Sequence, residues 1–190
     1  INTPPTSSLG RFFDGVAAIL GGRLKVSFEG QAAMELEGIA REGYKNPLPF
    51  TISEGPVLRL DLSPAVRSLA EKRMNGDPVG ALAFSFHETL MAAFRAMAVA
   101  IRTKTGLNRV VLSGGCFQNR ILLEGSIREL KDAGFDLFHH HLVPTNDGGI
   151  SLGQAFCAAS RALAGDSPRL VRPFSHSPNE DLFLRSFNPS

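Results

Sequence analysis

Two glycine pairs, one amide and one carboxylate carry most of the chemistry this sequence could do. Ser113-Gly114-Gly115 follows the apolar run Arg109-Val110-Val111-Leu112 and leads into a helical pattern starting near Phe117. Pro144-Thr145-Asn146-Asp147-Gly148-Gly149 follows Asp136 to Val143 and leads into Ile150 to Leu163. Each segment reads as strand, Gly-Gly turn, helix. Glycine lets the backbone turn sharply and lets a ligand approach the main chain with no Cβ in the way. The helix that follows offers unpaired N–H groups and a positive dipole end, which suit phosphate. Two such corners in one small α/β layer point to a nucleotide clamp. Asn119 turned inward would hydrogen-bond the nucleotide, and Asp147 places a carboxylate where a metal ion would sit. Plainer readings stand beside these. The first corner could be a tight turn with Asn119 on a solvated first helical turn, and Asp147 could be an N-cap for the next helix. The Gly-Gly pair after Asp147 is barer than a cap requires. No Gly-Lys-Ser/Thr follows the first corner, so it is not a Walker A loop, nor is it the dinucleotide fingerprint.

His139, His140 and His141 fall on a strand pattern, where His139 and His141 share one face and His140 takes the other, so all three cannot reach one ion. His87 lies on a buried helical stretch with Met91 four residues on, and reads as a core histidine with a hydrogen bond. Arg11 and Asp14 are three apart on a helix and can pair at the surface. Asp14 also borders Phe12, Phe13 and Val16, where a carboxylate could hold ribose hydroxyls. Glu35 on a short helix after Gly30 has the same two readings. Cys116 at a helix start could be an activated thiol, but no base is placed for it, and a small packed thiol is the simpler role.

The elements that must position these groups are legible in outline. With 190 residues there is room for one domain with a real core. A net charge of +2 from scattered basic residues gives no nucleic-acid surface, and none is expected. Two cysteines are too few for a disulfide scaffold and fit a reducing compartment. The apolar stretch near Val79 to Ile101 contains His87, Glu88 and Arg95, so it reads as a buried helix and not a membrane span. With no secretory h-region at the start, the expected home is the cytoplasm. The opening from Ile1 reads as a strand or linker entered from upstream, in a piece of a longer protein. Helical spacing runs from Phe12 to Leu20 and stops at Gly21-Gly22. Gly30 opens a second helix, Ala32 to Arg41, ended by Gly43. Leu48 to Ile52 and Val57 to Leu62 flank Ser53-Glu54-Gly55-Pro56 as a β-hairpin. Ser63-Pro64 starts a helix over Ala65 to Met74, Asn75 to Pro78 turns with Asp77 as N-cap, and Val79 to Thr105 is a core pillar, apolar almost all round. Residues 1–164 form the lobe, and the Pro-rich, polar 165–190 reads as a loose tail.

Four motifs in this order resemble a known family: Thr6 to Asp14, Phe28 to Glu35, Leu112 to Asn119, and Val143 to Gln154. Over about residues 6–163 the chain resembles the C-terminal part of the hydrogenase-maturation carbamoyltransferases. That region is also similar to the threonylcarbamoyl-adenosine tRNA-modification enzymes and the O-carbamoyltransferases. The resemblance implies an α/β fold of the actin, sugar-kinase and Hsp70-like ATPase architecture, mainly its second lobe, helix-rich with a short mixed sheet. It implies binding of ATP or carbamoyl adenylate made from carbamoyl phosphate, and transfer of the carbamoyl group to the C-terminal cysteine of a partner maturation protein. It places Asp14, Gly30, Asn119 and, less closely, Glu35 on adenosine-contacting positions. Ser113, Gly114 and Gly115 fall on the nucleotide loop, and Asp147 on the carboxylate that holds a divalent metal, iron or zinc. In the tRNA-modifying relatives the aspartate aligns with Asn146, one residue earlier. The family's His-x-x-x-His metal pair lies upstream of this chain, as do its adenylate-forming and zinc-finger segments, so the fragment alone is expected to be inactive. Where the family has an apolar residue, this chain has Cys116, which favours packing. The alternative is a nucleotide-binding scaffold or switch of the same fold without transferase activity.

Overall fold

The structure, a computed structural model, describes residues 6–41, 47–55 and 57–164. The expected opening strand, the Gly43 stop, Pro56 of the hairpin turn and the 165–190 tail fall outside the described residues. The chain divides into two compact units between Gly149 and Ile150.

In the first unit, helix α1 (Leu9–Ile19) buries Phe13, Val16 and Ala17. It ends as its glycines dictate: Gly21 takes φ 88° and the Gly22 N–H closes on the Ala17 carbonyl at 2.8 Å. Helix α2 (Gln31–Ile39) starts from Gly30 at φ 79°, a left-handed conformation natural to glycine. Strands β1 (Thr51–Ser53) and β2 (Arg59–Asp61) pair antiparallel, with Ile52 opposite Leu60. Helix α3 (Ser63–Met74) carries Pro64 in its first turn. Helix α4 (Val79–Thr105) has the expected bounds. Its N-cap is Pro78, not Asp77, which instead pairs with Lys72 at 3.8 Å.

The core gathers on the first half of α4. Leu82, Ala83, Phe86, Leu90 and Met91 are sealed there in one cluster with Phe13 and Val16 of α1, Leu36 of α2 and Leu69 of α3. Burial all round is confined to that half: no residue of the helix beyond Ala93 is fully buried, and Ile101 is exposed. Helix α5 (Arg120–Asp132) packs on α4 through Gly125, where an added Cβ would overlap the Met91 sulfur. Removing glycine from a helix interior gains up to about 1 kcal/mol. Overpacking at this contact outweighs that gain, so Gly125→Ala is expected to lower stability by a net of about 1–2 kcal/mol. A lower urea midpoint with an unchanged slope would show it.

Strands β3 (Arg109–Leu112) and β4 (Asp136–His139) pair in parallel, joined by the α5 crossover, with Leu112 opposite His139. One short mixed sheet was expected, yet the two strand pairs form separate two-stranded sheets. Each pair is closed by its own local connection, a hairpin for one and a helix for the other. β4 stops at His139 instead of running to Val143, because β3 ends at Leu112 and offers no further partner. The α-helix expected from Phe117 begins at Arg120, after a 3₁₀ turn over Gly115–Gln118. The second unit is described by helix α6 (Ile150–Leu163). No described helix is long and apolar enough to cross a membrane.

Candidate functional site

Parallel pairing places the C-terminal ends of β3 and β4 at one edge of their sheet, the usual ligand edge of open α/β layers. Both glycine corners leave from that edge, and they are bonded to each other. The Gly114 N–H donates to the Thr145 carbonyl at 3.0 Å, and the Thr145 hydroxyl donates back to the Gly114 carbonyl at 3.1 Å. Ser113 Oγ lies 3.0 Å from His140 Nε2 across the same seam. Beneath it is a small hollow of about 160 Å³ lined by Leu112, Phe117, Leu123, His139, Val143 and Thr145 among others. Neither Asn119 nor Asp147 lines it.

The glycines serve different needs. Gly114 sits at φ 109°, ψ 155°, which excludes side chains, while the space beside it is open. A Cβ on Gly115 would meet only Asn146 Cβ at 3.9 Å, an ordinary contact. A Cβ on Gly149 would stand 2.6 Å from the Pro144 carbonyl oxygen, so the second corner needs its glycine for its own closure. Asn146 organises that closure: its side-chain oxygen accepts from the Gly148 N–H at 3.1 Å and its carbonyl from the Gly149 N–H at 3.0 Å. Asp147 is exposed, and its carboxylate has no hydrogen-bond or ion-pair partner among the described residues. The turn-capping work is therefore done by Asn146, not by Asp147. No group of three His, Cys, Asp or Glu side chains that could hold a metal stands among the described residues. Asp147 alone does not make a metal site.

Asn119 is 9% exposed, so the solvated-turn reading fails. Its side chain has internal partners. Oδ1 accepts from the Leu122 N–H at 2.8 Å as the α5 cap, and Nδ2 lies 2.8 Å from His87 Nε2. Glu37 of α2 accepts from the Arg120 N–H at 2.7 Å. The start of α5 is thus occupied by Asn119 and Glu37, and it does not present those N–H groups to a phosphate as the strand–turn–helix pattern suggested. Nor is the Gly114 N–H open to a ligand, since Thr145 holds it.

His87, fully buried, donates through Nδ1 to the Ala83 carbonyl at 2.7 Å. Burial pushes its imidazole below the ordinary value of 6.5, opposed by the Ala83 bond and by the charge of Glu37. The unfolded chain therefore binds this proton more readily than the folded one. The resulting stability is fully present above the ordinary value and is lost as pH falls from there through the lowered one. Urea midpoints are expected to drop as pH falls below the ordinary value of 6.5, and His87→Gln should flatten that component. An unaltered pH slope in the variant would assign the effect elsewhere.

Asp14 pairs with Arg11 at 3.7 Å on the α1 surface, and α1 packs against the 115–118 turn. Gly30 has open space where a side chain would go. Glu35 accepts from Arg23 at 2.6 Å and Gln31 at 3.1 Å, bracing the segment before α2. The Cys116 thiol is half-buried against the core, and burial pushes its pKa up, away from a nucleophilic thiolate. The His139 and His141 rings lie 4.1 Å apart, on one side as expected, although His141 is beyond the strand. Spacing alone did not reveal Thr145 or Glu37. Thr145 carried only the signal of a hydroxyl inside a glycine corner, and Glu37 carried none.

A family model described as carbamoyltransferase, Kae1-like domain, second subdomain, matches residues 1–154. The chain belongs to this carbamoyltransferase family. It is 44% identical over 153 residues to carbamoyltransferase HypF of Rhizobium leguminosarum bv. viciae, spanning 80% of this chain and 19% of that protein. Against carbamoyltransferase HypF2 of Cupriavidus necator it is 36% identical over 189 residues, 85% of this chain and 23% of that one. A solved structure of full-length HypF in a phosphate- and nucleotide-bound form superposes with a TM-score of 0.80 at 44% identity, covering 84% of this chain and 21% of that one. The HypF of T. kodakarensis matches at 0.72 and 31%, covering 87% and 21%. The chain thus spans about a fifth of these carbamoyltransferases and corresponds to the C-terminal part of HypF.

Proposed function

We propose that this segment is the nucleotide-gripping part of a hydrogenase-maturation carbamoyltransferase, built on the actin and Hsp70-like ATPase architecture. It would hold carbamoyl adenylate, formed from carbamoyl phosphate and ATP elsewhere in the full-length protein. The carbamoyl group would pass to the C-terminal cysteine of a partner maturation protein. That thiolate attacks the carbamoyl carbon, the carbon–oxygen bond to phosphate breaks, and AMP leaves with the electron pair. No nucleophile is needed from this chain, in keeping with the protonated, half-buried Cys116.

The observation that carries the reading is the seam itself: two corners far apart in sequence are hydrogen-bonded at one sheet edge, with Gly115 and Asp147 at the surface around it. The reading places the phosphate of the adenylate against the Gly115 backbone and the adenosine toward Asp14 and Gly30. Ser113 and Asn119 hold the loop that receives it. Asp147 would supply one carboxylate to a divalent metal, iron or zinc, whose remaining ligands come from upstream. Preset backbone dipoles beside the leaving phosphate stabilise charge without reorganising during the reaction.

Gly115→Ala tests this directly, because its Cβ meets only an ordinary contact inside the protein. In the full-length protein the variant should keep its melting temperature yet bind nucleotide about tenfold or more weakly by calorimetry. Wild-type nucleotide affinity in that variant would end the reading.

A further inference from the structure

Among the described residues the buried polar side chains are Ser85, His87, Thr89, Asn119 and Ser126, and only His87 of these can titrate. Its hydrogen bonds admit one arrangement. The Leu122 N–H is a donor, so the atom of Asn119 that faces it is Oδ1. Nδ2 of Asn119 therefore faces His87 Nε2, which must accept. The ring proton is then on Nδ1, where the Ala83 carbonyl receives it. The imidazole cannot swing away, since the rings of Phe13 and Phe86 stand edge-on to it with centroids at 5.4 and 5.9 Å.

We infer that His87 is a positioning residue for the glycine corner: its Nε2 lone pair holds the Asn119 amide and thereby sets where Gly114 and Gly115 stand. The inference rests on the proposed nucleotide role of that corner. The corner is short and pinned at both ends, by Thr145 at Gly114 and by Asn119 at the start of α5. If the acceptor at residue 87 is lost, a buried amide N–H is left unmade. Turning the amide over would set Nδ2 against the Leu122 N–H, donor against donor, and strip that N–H of its cap. Moving it toward water would drag the corner along. Both responses displace the backbone proposed to meet the phosphate.

The test uses the full-length protein at a temperature where every variant is folded by circular dichroism. His87→Phe keeps a ring and removes the acceptor, and it should weaken nucleotide binding about tenfold. His87→Gln returns an acceptor near the Nε2 position and should restore affinity to within about twofold. Wild-type binding by His87→Phe, with Gly115→Ala still impaired, would leave His87 a packing residue and overturn the inference. Wild-type binding by both would remove the nucleotide role of the corner, and the inference with it. Should His87→Phe fail to fold, ¹⁵N spectra of histidine-labelled protein decide the point. The neutral Nδ1–H tautomer is expected in the wild type, with the ring proton relocated to Nε2 or a second proton gained in Asn119→Asp. An Nε2–H tautomer in the wild type would overturn the inference.

Discussion

Phe86→Ala is expected to lower stability by about 3–5 kcal/mol, a large share of the 5–15 kcal/mol that holds a typical domain together. Phe86 is 1% exposed at the centre of the α1–α4 contact. Its ring meets Phe13 edge-on at 5.0 Å, Phe12 tilted at 5.4 Å and His87 at 5.9 Å. Truncation removes the apolar transfer term and leaves a void bounded by rings and helix backbone that cannot close in together. Phe86→Leu should lose far less, about 1.5 kcal/mol or under, since it keeps most of the volume. Urea denaturation of both variants measures the difference. An alanine variant within about 1 kcal/mol of the wild type would contradict the described core.

Asp147→Asn is expected to reduce carbamoyl transfer by the full-length protein on the order of a hundredfold or more, with folding unaffected. The two halves of that prediction have separate grounds. An exposed carboxylate without internal partners contributes nothing that folding would miss. The same lack of partners leaves it available for chemistry. Asn146→Ala should show the opposite pattern, a lower melting temperature from the lost bond to the Gly148 N–H and a smaller direct effect on transfer. Equal transfer by wild type and Asp147→Asn would remove Asp147 from the machinery. The pair of variants also decides which of the two adjacent residues is the functional one.

Much of the helical framework was legible because its signals are local. Gly21 and Gly22 stop α1, Pro64 opens α3, and the bounds of α4 follow from Pro78 and Gly106. The strand pairs were legible as strands, but their extent depended on partners far away in sequence, so β4 was drawn too long and the two sheets were taken as one. In the candidate site, the adjacency of the two corners could be read from a repeated pattern. The use of individual atoms could not. Asn119 has the residue type of a ligand contact and of a helix cap equally; the nearby Leu122 N–H takes its Oδ1, and the partner of its Nδ2 is His87, remote in sequence. Gly149 shows the converse. Its bareness suggested a visiting ligand, whereas the nearest reason is the Pro144 carbonyl behind it.

The four-rung alignment between Arg109–Leu112 and Asp136–His139 acts as a gauge on the spacing of everything beyond it. Sliding one strand by a single position would carry its corner about 3.3 Å along the sheet and turn every side chain to the opposite face. Leu112 would then lie outward and the Gly114–Thr145 latch could not engage. A residue added or removed between either strand and its glycines is therefore expected to unlatch the two corners.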